Sequence, residues 1–352
     1  MIMIANARTA IAGIGLVCAA AAAPVSAQDV SARVLGWYGN QPQSTELVRP
    51  FWEKIDQSEN GLSVEFRTMD EIGLTGFEAL RSLQSGAFDI ESFQISFIGG
   101  EDSVLQGVDI PGLAFNFDEL EEIVDVYKPV IEEQLGEKYD ARLLAAWPFP
   151  FQIMFCKGDV QNMSDIEGKK VRVSGILTAE LVEQLGGAAV TLAGPEVYQG
   201  LMQGVVDCAV TGSQFGNSND WFEVTDTQID MPIGGAGLVL TVARNEFWNA
   251  LSDEQKTSLT EQVGKLEADL WEMAREGHDD GIRCNTGQAP CAGKMGDMTL
   301  VEPSAADVSL IKEKLEENVL PLWSEDCSNA AEDCLQNWNE TIGQTVGLEA
   351  SR

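Results

Sequence analysis

Residues 165–212 read DIEGKKVRVSGILTAELVEQLGGAAVTLAGPEVYQGLMQGVVDCAVTG, and the pattern within this stretch decides the fold class. Three short runs rich in β-branched residues predict strands over 171–173, 189–191 and 205–210. One helical pattern between them runs from Ala179 to Leu185, and a second begins at Pro195 and ends at Gly204. Strands that alternate with helices predict an α/β architecture.

The same alternation continues on both sides of this stretch. Asp118 and Glu121 form a capping-box pattern for a helix that contains Pro129, and Ser252 with Gln255 forms another for a long helix. The other predicted elements are helices over 45–57 and 76–84 and strands over 32–37, 62–66, 143–156 and 238–243, with one more beginning at 88–90. We expect the strand over 143–156 to cross between two lobes.

The first 27 residues have the pattern of a secretory signal peptide. Arg8 is positively charged, residues 10–23 are apolar but short for a membrane span, and Val25-Ser26-Ala27 fits a cleavage site. We expect the mature chain to begin at Gln28 and to be soluble in the periplasm. Cys18 offers the alternative of a lipid anchor, although the residues before it fit one poorly.

Length and charge restrict the class of protein. Removing 27 of 352 residues leaves 325, which is too long for one compact core and predicts two domains. The net charge of −34 argues against nucleic acid as a partner, because phosphate backbones are bound by clustered Lys and Arg. A small anion remains compatible with this charge, since it requires only a locally positive pocket.

The cysteines indicate disulfides and not a metal site. Two pairs share one short spacing, and export to an oxidising compartment favours local disulfides between Cys284 and Cys291 and between Cys327 and Cys334. The chain has a single histidine, His278, and no CxxC motif. We therefore expect neither a metal nor a cofactor.

Several short motifs occur together in an order and spacing that resemble the extracytoplasmic solute receptors of tripartite ATP-independent periplasmic (TRAP) transporters. In chain order they are Gly86-Ala87-Phe88-Asp89, Ile110-Pro111-Gly112-Leu113-Ala114-Phe115, Asp165 to Val173, Leu185-Gly186-Gly187-Ala188, Pro195-Glu196-Val197-Tyr198, Gly204-Val205-Val206-Asp207, Asn245-Glu246-Phe247-Trp248 and Leu251 to Gln255. The resemblance extends over residues 32–280 and is looser beyond them.

The resemblance implies a two-lobed, periplasmic binding protein-like α/β fold with crossing inter-lobe strands and a long bracing helix. It places residues 28–149 and 238–276 in lobe I, 150–237 and 277–330 in lobe II, and 331–352 in a C-terminal helix or tail. A small organic acid is expected to bind between the lobes. Lobe closure would then present the protein to the membrane subunits of the transporter.

The resemblance also assigns a ligand-binding role to Arg172, which occupies the position of the family arginine that binds the ligand carboxylate. A guanidinium matches a carboxylate with a planar fork of donors. Without the resemblance, Arg172 would be interpreted as an exposed arginine on a strand. Gln152 stands where many sugar-acid receptors of this family carry a second arginine, and this substitution favours a monocarboxylate over a dianion.

Other ligand contacts follow from the same rough correspondence. Tyr38 and Gln94 are expected from the first lobe, and Thr211 and Phe215 from the second. Trp147, Phe149 and Phe215 are candidates to line an apolar cleft, although aromatic residues at such spacing are more often part of a core. Cys208 replaces a family glycine, and it is a candidate partner of Cys156 in an inter-strand disulfide.

Two other functions stay open at this point. A ligand-sensing receptor ectodomain would carry the same residues. A periplasmic enzyme that acts on a carboxylate substrate is disfavoured, because the chain lacks a G-x-S-x-G elbow, an HExxH motif and a phosphate-binding loop. A catalytic pair of carboxylates is not excluded by so acidic a sequence.

Overall fold

The computed structural model describes residues 30–57 and 61–352, and these residues form two α/β lobes, each built on one sheet. The expected signal peptide, its cleavage site and Cys18 lie outside the described residues. Within the described part, no helix is both long enough and apolar enough to cross a bilayer.

Eleven strands supply the two sheets. They are β1 Val30–Gly36, β2 Leu62–Thr68, β3 Ile90–Gln94, β4 Ala141–Trp147, β5 Gln152–Cys156, β6 Lys170–Val173, β7 Ala188–Thr191, β8 Cys208–Gly212, β9 Thr227–Ile229, β10 Val239–Arg244 and β11 Thr299–Val301. The first sheet has the order β2-β1-β3-β10-β4, and the second has the order β11-β9-β5-β8-β6-β7. In each sheet parallel and antiparallel pairs are mixed.

Helices cover these sheets. They are α1 Arg49–Asp56, α2 Ala79–Ser85, α3 Ile95–Ile98, α4 Ser103–Gln106, α5 Phe117–Tyr139, α6 Ile176–Gln184, α7 Gly194–Met202, α8 Ser213–Ser218, α9 Asn245–Ala250, α10 Asp253–Asn285, α11 Ala305–Lys314, α12 Leu320–Ala330, α13 Cys334–Trp338 and α14 Gln344–Val346. The strands and helices alternate along both lobes, so the predicted two-lobed α/β class is confirmed.

Three chain segments connect the two sheets; the third contains α10 and leads from β10 to β11, and the first differs from the sequence prediction. The single long strand expected over 143–156 is two strands, β4 in the first sheet and β5 in the second. Pro148 and Pro150 lie between them, and a proline has no N–H with which to continue a ladder. The second crossing segment, residues 230–238, connects β9 to β10.

The predicted N-cap is correct for one of the two long helices and wrong for the other. Helix α10 begins after Ser252, whose side chain accepts from Gln255 N as the capping box predicted. It spans 33 residues and packs on both β4 and α8, so it braces the two lobes. The predicted N-cap of α5, Asp118, was wrong. The N-cap is Asn116, whose side chain accepts from Glu119 N at 3.0 Å, and Asp118 lies inside the first turn.

The C-terminal helices pack on the first lobe. Trp323 Nε1 donates to Ser103 O at 2.7 Å, and Trp338 Nε1 donates to Gly107 O at 2.9 Å. A disulfide between Cys327 and Cys334 connects α12 to α13 beside these indoles. Buried indole N–H groups that find carbonyl partners fix the orientation of both helices.

The core of the first lobe contains a buried carboxyl group without a cationic partner among the described residues. Glu91 lies on β3 between β1 and β10 and is fully buried, and its carboxyl group interacts with the hydroxyl of Ser82. Burial raises the pKa of Glu91 to about 8 from an ordinary value of 4.5. The folded protein therefore keeps Glu91 protonated at neutral pH, whereas the unfolded chain ionises it.

We expect this group to make the protein less stable as the pH rises from about 4.5 to about 8, because over this window the folded state holds one proton more than the unfolded state. Glu91→Gln should remove that slope and be more stable than the wild type at pH 8 by about 2–4 kcal/mol. Urea unfolding across the pH range measures this difference. The exposed Glu133→Gln is the control, and parallel pH profiles for wild type and Glu91→Gln would contradict the prediction.

Candidate functional site

A cleft between the two sheets encloses about 490 Å³ of space including its open mouth. Both lobes contribute to its walls, which combine aromatic rings, carboxamides and hydroxyl groups around one charged side chain. The lining residues are Trp37, Tyr38, Gln41, Gln43, Gln94, Phe97, Phe149, Pro150, Gln152, Arg172, Ser174, Gly194, Thr211, Gly212, Gln214 and Phe215.

Arg172 is the charged residue of the cleft, and it is only 3% exposed. It lies on β6, between β7 and β8, and the carbonyls next to it on both sides hold its guanidinium. Nε donates to Leu192 O at 2.9 Å, and Nη1 donates to Val210 O at 2.8 Å. These two bonds use a minority of the five guanidinium donors. Arg172 is therefore a buried cleft residue and not an exposed strand arginine.

No carboxylate of the described residues forms an ion pair with the guanidinium of Arg172, and Glu196 acts on it only from a longer distance. Burial lowers the pKa of Arg172 to about 10, so the side chain is still a cation at neutral pH. A buried charge is costly without a counterion. The cleft is thus electrostatically prepared for an anion at this position.

Gln152 and Gln94 face each other across the second crossing segment. Gln152 Nε2 donates to Pro150 O at 2.9 Å, and both side chains line the cleft. Gly237 passes between them with a φ of +58°, and a Cβ there would lie 2.5 Å from Gln94 Nε2 and 2.8 Å from Gln152 Nε2. Asp109 holds this segment in place by accepting from Ala236 N and Leu238 N, each at 2.8 Å.

Three further predicted contacts also line the cleft. Tyr38 follows β1 and is 5% exposed, and its hydroxyl group interacts with the backbone of Gly76. Burial raises the pKa of Tyr38, so its hydroxyl stays neutral at neutral pH. Thr211 lies on β8, and Phe215 lies on α8 with its ring edge-on to Trp221 at 5.7 Å.

Trp147 does not reach the cleft. It is 1% exposed, and its Nε1 donates to Thr241 Oγ1 at 3.1 Å inside the first lobe. The ring of Phe149 packs against Trp147 at 5.2 Å and lines the cleft in its place. The prolines of the first crossing segment interrupt the strand, so its side chains do not continue the alternation of β4.

Sequence reasoning missed several residues of the cleft wall: Trp37, Gln41, Gln43, Phe97, Pro150, Ser174, Gly194, Gly212 and Gln214. Some adjoin residues that it found, since Trp37 precedes Tyr38 and Gln214 precedes Phe215. Their position directly after a strand was a usable signal, because the ends of neighbouring parallel strands meet at one edge of a sheet. Gln41 and Gln43 follow a turn and carry no such local signal.

The lobes contact each other at the rim of the cleft. Gln43 Nε2 donates to Gln214 Oε1 at 3.0 Å, and Asn40 Nδ2 donates to Asn219 Oδ1 at 3.1 Å. Gly175 approaches Ser96 so closely that a Cβ on it would lie 2.7 Å from Ser96 O. These contacts define a closed arrangement of the two lobes.

Helix α8 carries part of the cleft wall and is anchored to the end of α10. Asn285 Nδ2 donates to Ser213 O at 3.0 Å. Asn217 Nδ2 donates to Lys294 O at 2.7 Å, and Lys294 N donates back to Asn217 Oδ1 at 2.9 Å. Lys294 belongs to the loop that the disulfide between Cys284 and Cys291 connects to α10. The structure also contains a disulfide between Cys156 and Cys208, which face each other in register on β5 and β8.

A family model described as bacterial extracellular solute-binding protein, family 7, matches residues 37–320. The chain belongs to this family. The predicted resemblance to TRAP solute receptors is thereby confirmed.

Within the described residues, no cluster of three or more His, Cys, Asp or Glu side chains is placed to hold a metal ion.

Two curated relatives of this family-7 chain match part of it. A solute-binding protein of Chromohalobacter salexigens is 26% identical over 213 residues, which cover 55% of this chain and 59% of the relative. The C4-dicarboxylate-binding periplasmic protein of Rhodobacter capsulatus is 26% identical over 196 residues, which cover 53% of this chain and 57% of the relative. The chain thus aligns with less than two thirds of the length of either relative.

Solved structures match the fold over nearly the whole chain. An extracytoplasmic solute receptor of Bordetella pertussis that binds pyroglutamic acid superposes with a TM-score of 0.76 at 19% identity, covering 89% of this chain and 99% of the receptor. A TRAP periplasmic solute-binding protein of Desulfovibrio salexigens with bound orotic acid has a TM-score of 0.76 at 15% identity and covers 90% and 99%. One of Chromohalobacter salexigens with bound D-glucuronate has a TM-score of 0.74 at 17% identity and covers 89% and 99%.

The anchoring of α8 predicts that one disulfide supports the cleft wall and that another of equal loop length does not. Replacing Cys284 and Cys291 together with Ser should speed amide hydrogen exchange over residues 213–218 about tenfold, because a loosened loop holds Asn217 less firmly. The matched control replaces Cys327 and Cys334, which have the same sequence separation of 7. Equal exchange over 213–218 in both variants would contradict the prediction.

Proposed function

We propose that this protein captures a small organic acid between its lobes in the periplasm and delivers it to the membrane subunits of a TRAP transporter. The observation that carries this proposal is the buried guanidinium of Arg172, which lines the cleft without a protein counterion. Membership of an extracellular solute-binding family supports the binding role and the location.

A ligand carboxylate at Arg172 would supply the missing counterion. The guanidinium donors not used by Leu192 O and Val210 O are available for it, and a buried charge-assisted pair contributes more than a neutral hydrogen bond. Thr211 and Tyr38 carry hydroxyl groups on the same cleft wall. The solved relatives are described with pyroglutamic acid, orotic acid and D-glucuronate, all of which contain one carboxyl group.

A single carboxylate matches this cleft better than two. Arg172 is the only ionised side chain among its described lining residues, and Gln152 and Gln94 are neutral. A second ligand charge would be transferred into the cleft without a partner, which is costly. The Rhodobacter capsulatus relative is named for C4-dicarboxylates, and on this point we propose that the present chain differs.

Delivery requires that the lobes open and close. In the proposed cycle an open form exposes Arg172, the ligand joins the two walls, and the rim contacts of Gln43 with Gln214 and of Asn40 with Asn219 form on closure. The lobe boundaries at 149/150, 237/238 and 276/277, and the separate tail over 331–352, stay predictions. Within the predicted lobe II segment 277–330, however, Trp323 donates to Ser103 O of the first lobe.

We propose binding without catalysis. Among the described residues that line the cleft there is no Asp, Glu, His, Cys or Lys. General acid–base catalysis uses one of these groups or a tyrosine within hydrogen-bond reach of the substrate. Tyr38 does line the cleft, but burial raises its pKa and makes it a poor base. Incubation of the protein with candidate acids tests this point, since recovery of a chemically altered acid would contradict it.

A thermal-shift screen of monocarboxylates and dicarboxylates tests the proposed ligand class. We expect saturable stabilisation by a monocarboxylate, because binding to the folded state alone raises the melting temperature. A dicarboxylate of the same size should stabilise less. Stronger stabilisation by dianions would overturn the assignment of Gln152 while leaving the binding role intact.

The role of Arg172 is tested by three substitutions. Arg172→Ala should weaken binding of the acid found in the screen by about 2–5 kcal/mol, because the ligand carboxylate loses its buried partner. This corresponds to a loss of affinity of at least ~30-fold. Arg172→Lys should recover part of it, since an ammonium keeps the charge and loses the fork. Titration calorimetry measures all of these affinities.

Arg172→Gln keeps a donor for Val210 O or Leu192 O while removing the charge, so it separates folding from binding. We expect this variant to melt close to the wild type without ligand and to bind nearly as weakly as Arg172→Ala. Unchanged affinity in the alanine variant would show that the acid binds elsewhere.

A further inference from the structure

Resting on the proposed function, we propose that the ligand carries, besides its carboxylate, a neutral group that donates a hydrogen bond, and that Gln43 selects for this group. An amide or lactam N–H and a hydroxyl belong to this class. A second carboxylate, a lactone and an ether do not, because these groups only accept hydrogen bonds.

The first observation is a hydrogen-bond acceptor in the cleft wall that has no donor in the described structure. Gln43 is 1% exposed and lines the cleft, and its Oε1 is buried without a hydrogen-bond partner in the described structure. Its Nε2 is already used by the bond to Gln214 Oε1. A buried carbonyl oxygen without a donor costs free energy, so a ligand donor at this point is favoured.

The orientation of the two carboxamides decides which ligand group fits. With Gln43 Nε2 donating to Gln214 Oε1, the atom of Gln43 left without a partner is its oxygen, which requires a donor. With both amides turned over, Gln43 would present its nitrogen and favour a ligand group that accepts. The preference between matched acids therefore also reports this orientation.

The neighbouring side chains of Gln43 are engaged elsewhere. Gln41 donates its Nε2 to Asn40 Oδ1 at 3.4 Å, and Gln152 donates to Pro150 O. The hydroxyl group of Tyr38 interacts with the backbone of Gly76. Among the described residues, no donor forms a hydrogen bond to Gln43 Oε1.

Because Gln43 belongs to the first lobe and Arg172 to the second, one ligand that meets both would join the lobes. Its carboxylate would meet Arg172 while its donor meets the residue that also forms the rim bond to Gln214. Recognition of the donor and closure of the cleft therefore involve the same side chain.

Matched pairs of acids test this inference by titration calorimetry. The first pair is pyroglutamate and the lactone with the same ring and carboxylate, which differ in one N–H. The second is lactate and its O-methyl ether. Succinate is the dianion control. We expect the wild type to prefer the donor-bearing member of each pair that binds by about 5- to 100-fold.

The variant Gln43→Met keeps the length of the side chain and removes both polar atoms. It should bind the two members of a pair with equal affinity. The matched control is Gln184→Met, at an exposed glutamine of α6 outside the cleft, and it should keep the preference.

Three results would count against the inference, and they are distinguishable. The inference is overturned if the wild type binds the lactone as tightly as pyroglutamate or the ether as tightly as lactate, or if Gln43→Met keeps the preference for the donor-bearing acid. In either case, binding that still depends on Arg172 upholds the proposed function. Tightest binding of succinate overturns it and the monocarboxylate assignment. Absence of binding by every acid of the set to the folded wild type overturns the proposed function and this inference together.

Discussion

The rest of the cleft is organised around the buried positive charge of Arg172, which has no ion-pair partner among the described residues. The guanidinium is almost fully buried, yet two main-chain carbonyls keep it hydrogen-bonded from neighbouring positions of the sheet. Carbonyl dipoles stabilise a buried cation without neutralising it. The position is therefore tolerable in the empty protein and strongly favourable for an anion, which is the electrostatic requirement of a receptor that must also release its ligand.

The rest of the cleft avoids charge, and this absence is as informative as the arginine. Five glutamines line it, and an amide can turn either a donor or an acceptor towards a ligand. The protein carries a net charge of −34, yet none of its carboxylates lines the described cleft wall. Acidic side chains are instead placed on the surface, where water solvates them, or take structural roles such as that of Asp109.

Closure depends on backbone that passes very near the ligand space. The second crossing segment lies between Gln94 and Gln152, and Gly237 is favoured there because its φ of +58° is a conformation that side-chain-bearing residues rarely adopt. Asp109 fixes this segment from the first lobe, while Gln152 N donates to Gly235 O at 3.0 Å from the second. The same short segment therefore connects the lobes and shapes the floor of the cleft.

Local sequence patterns determined the α/β class, the start of the long helix at Ser252 and the strand that carries Arg172, because periodicity, caps and turns act over a few residues. The rough correspondence with the family also indicated Tyr38, Gln94, Gln152, Thr211 and Phe215, all of which line the cleft. Only the tertiary structure decided that Phe149 and not Trp147 lines the cleft, since Pro148 and Pro150 redirect the chain between them. It alone brought Gln43 to Gln214, which are 171 residues apart, because a contact between lobes depends on how two sheets are placed and leaves no periodic signal in either segment.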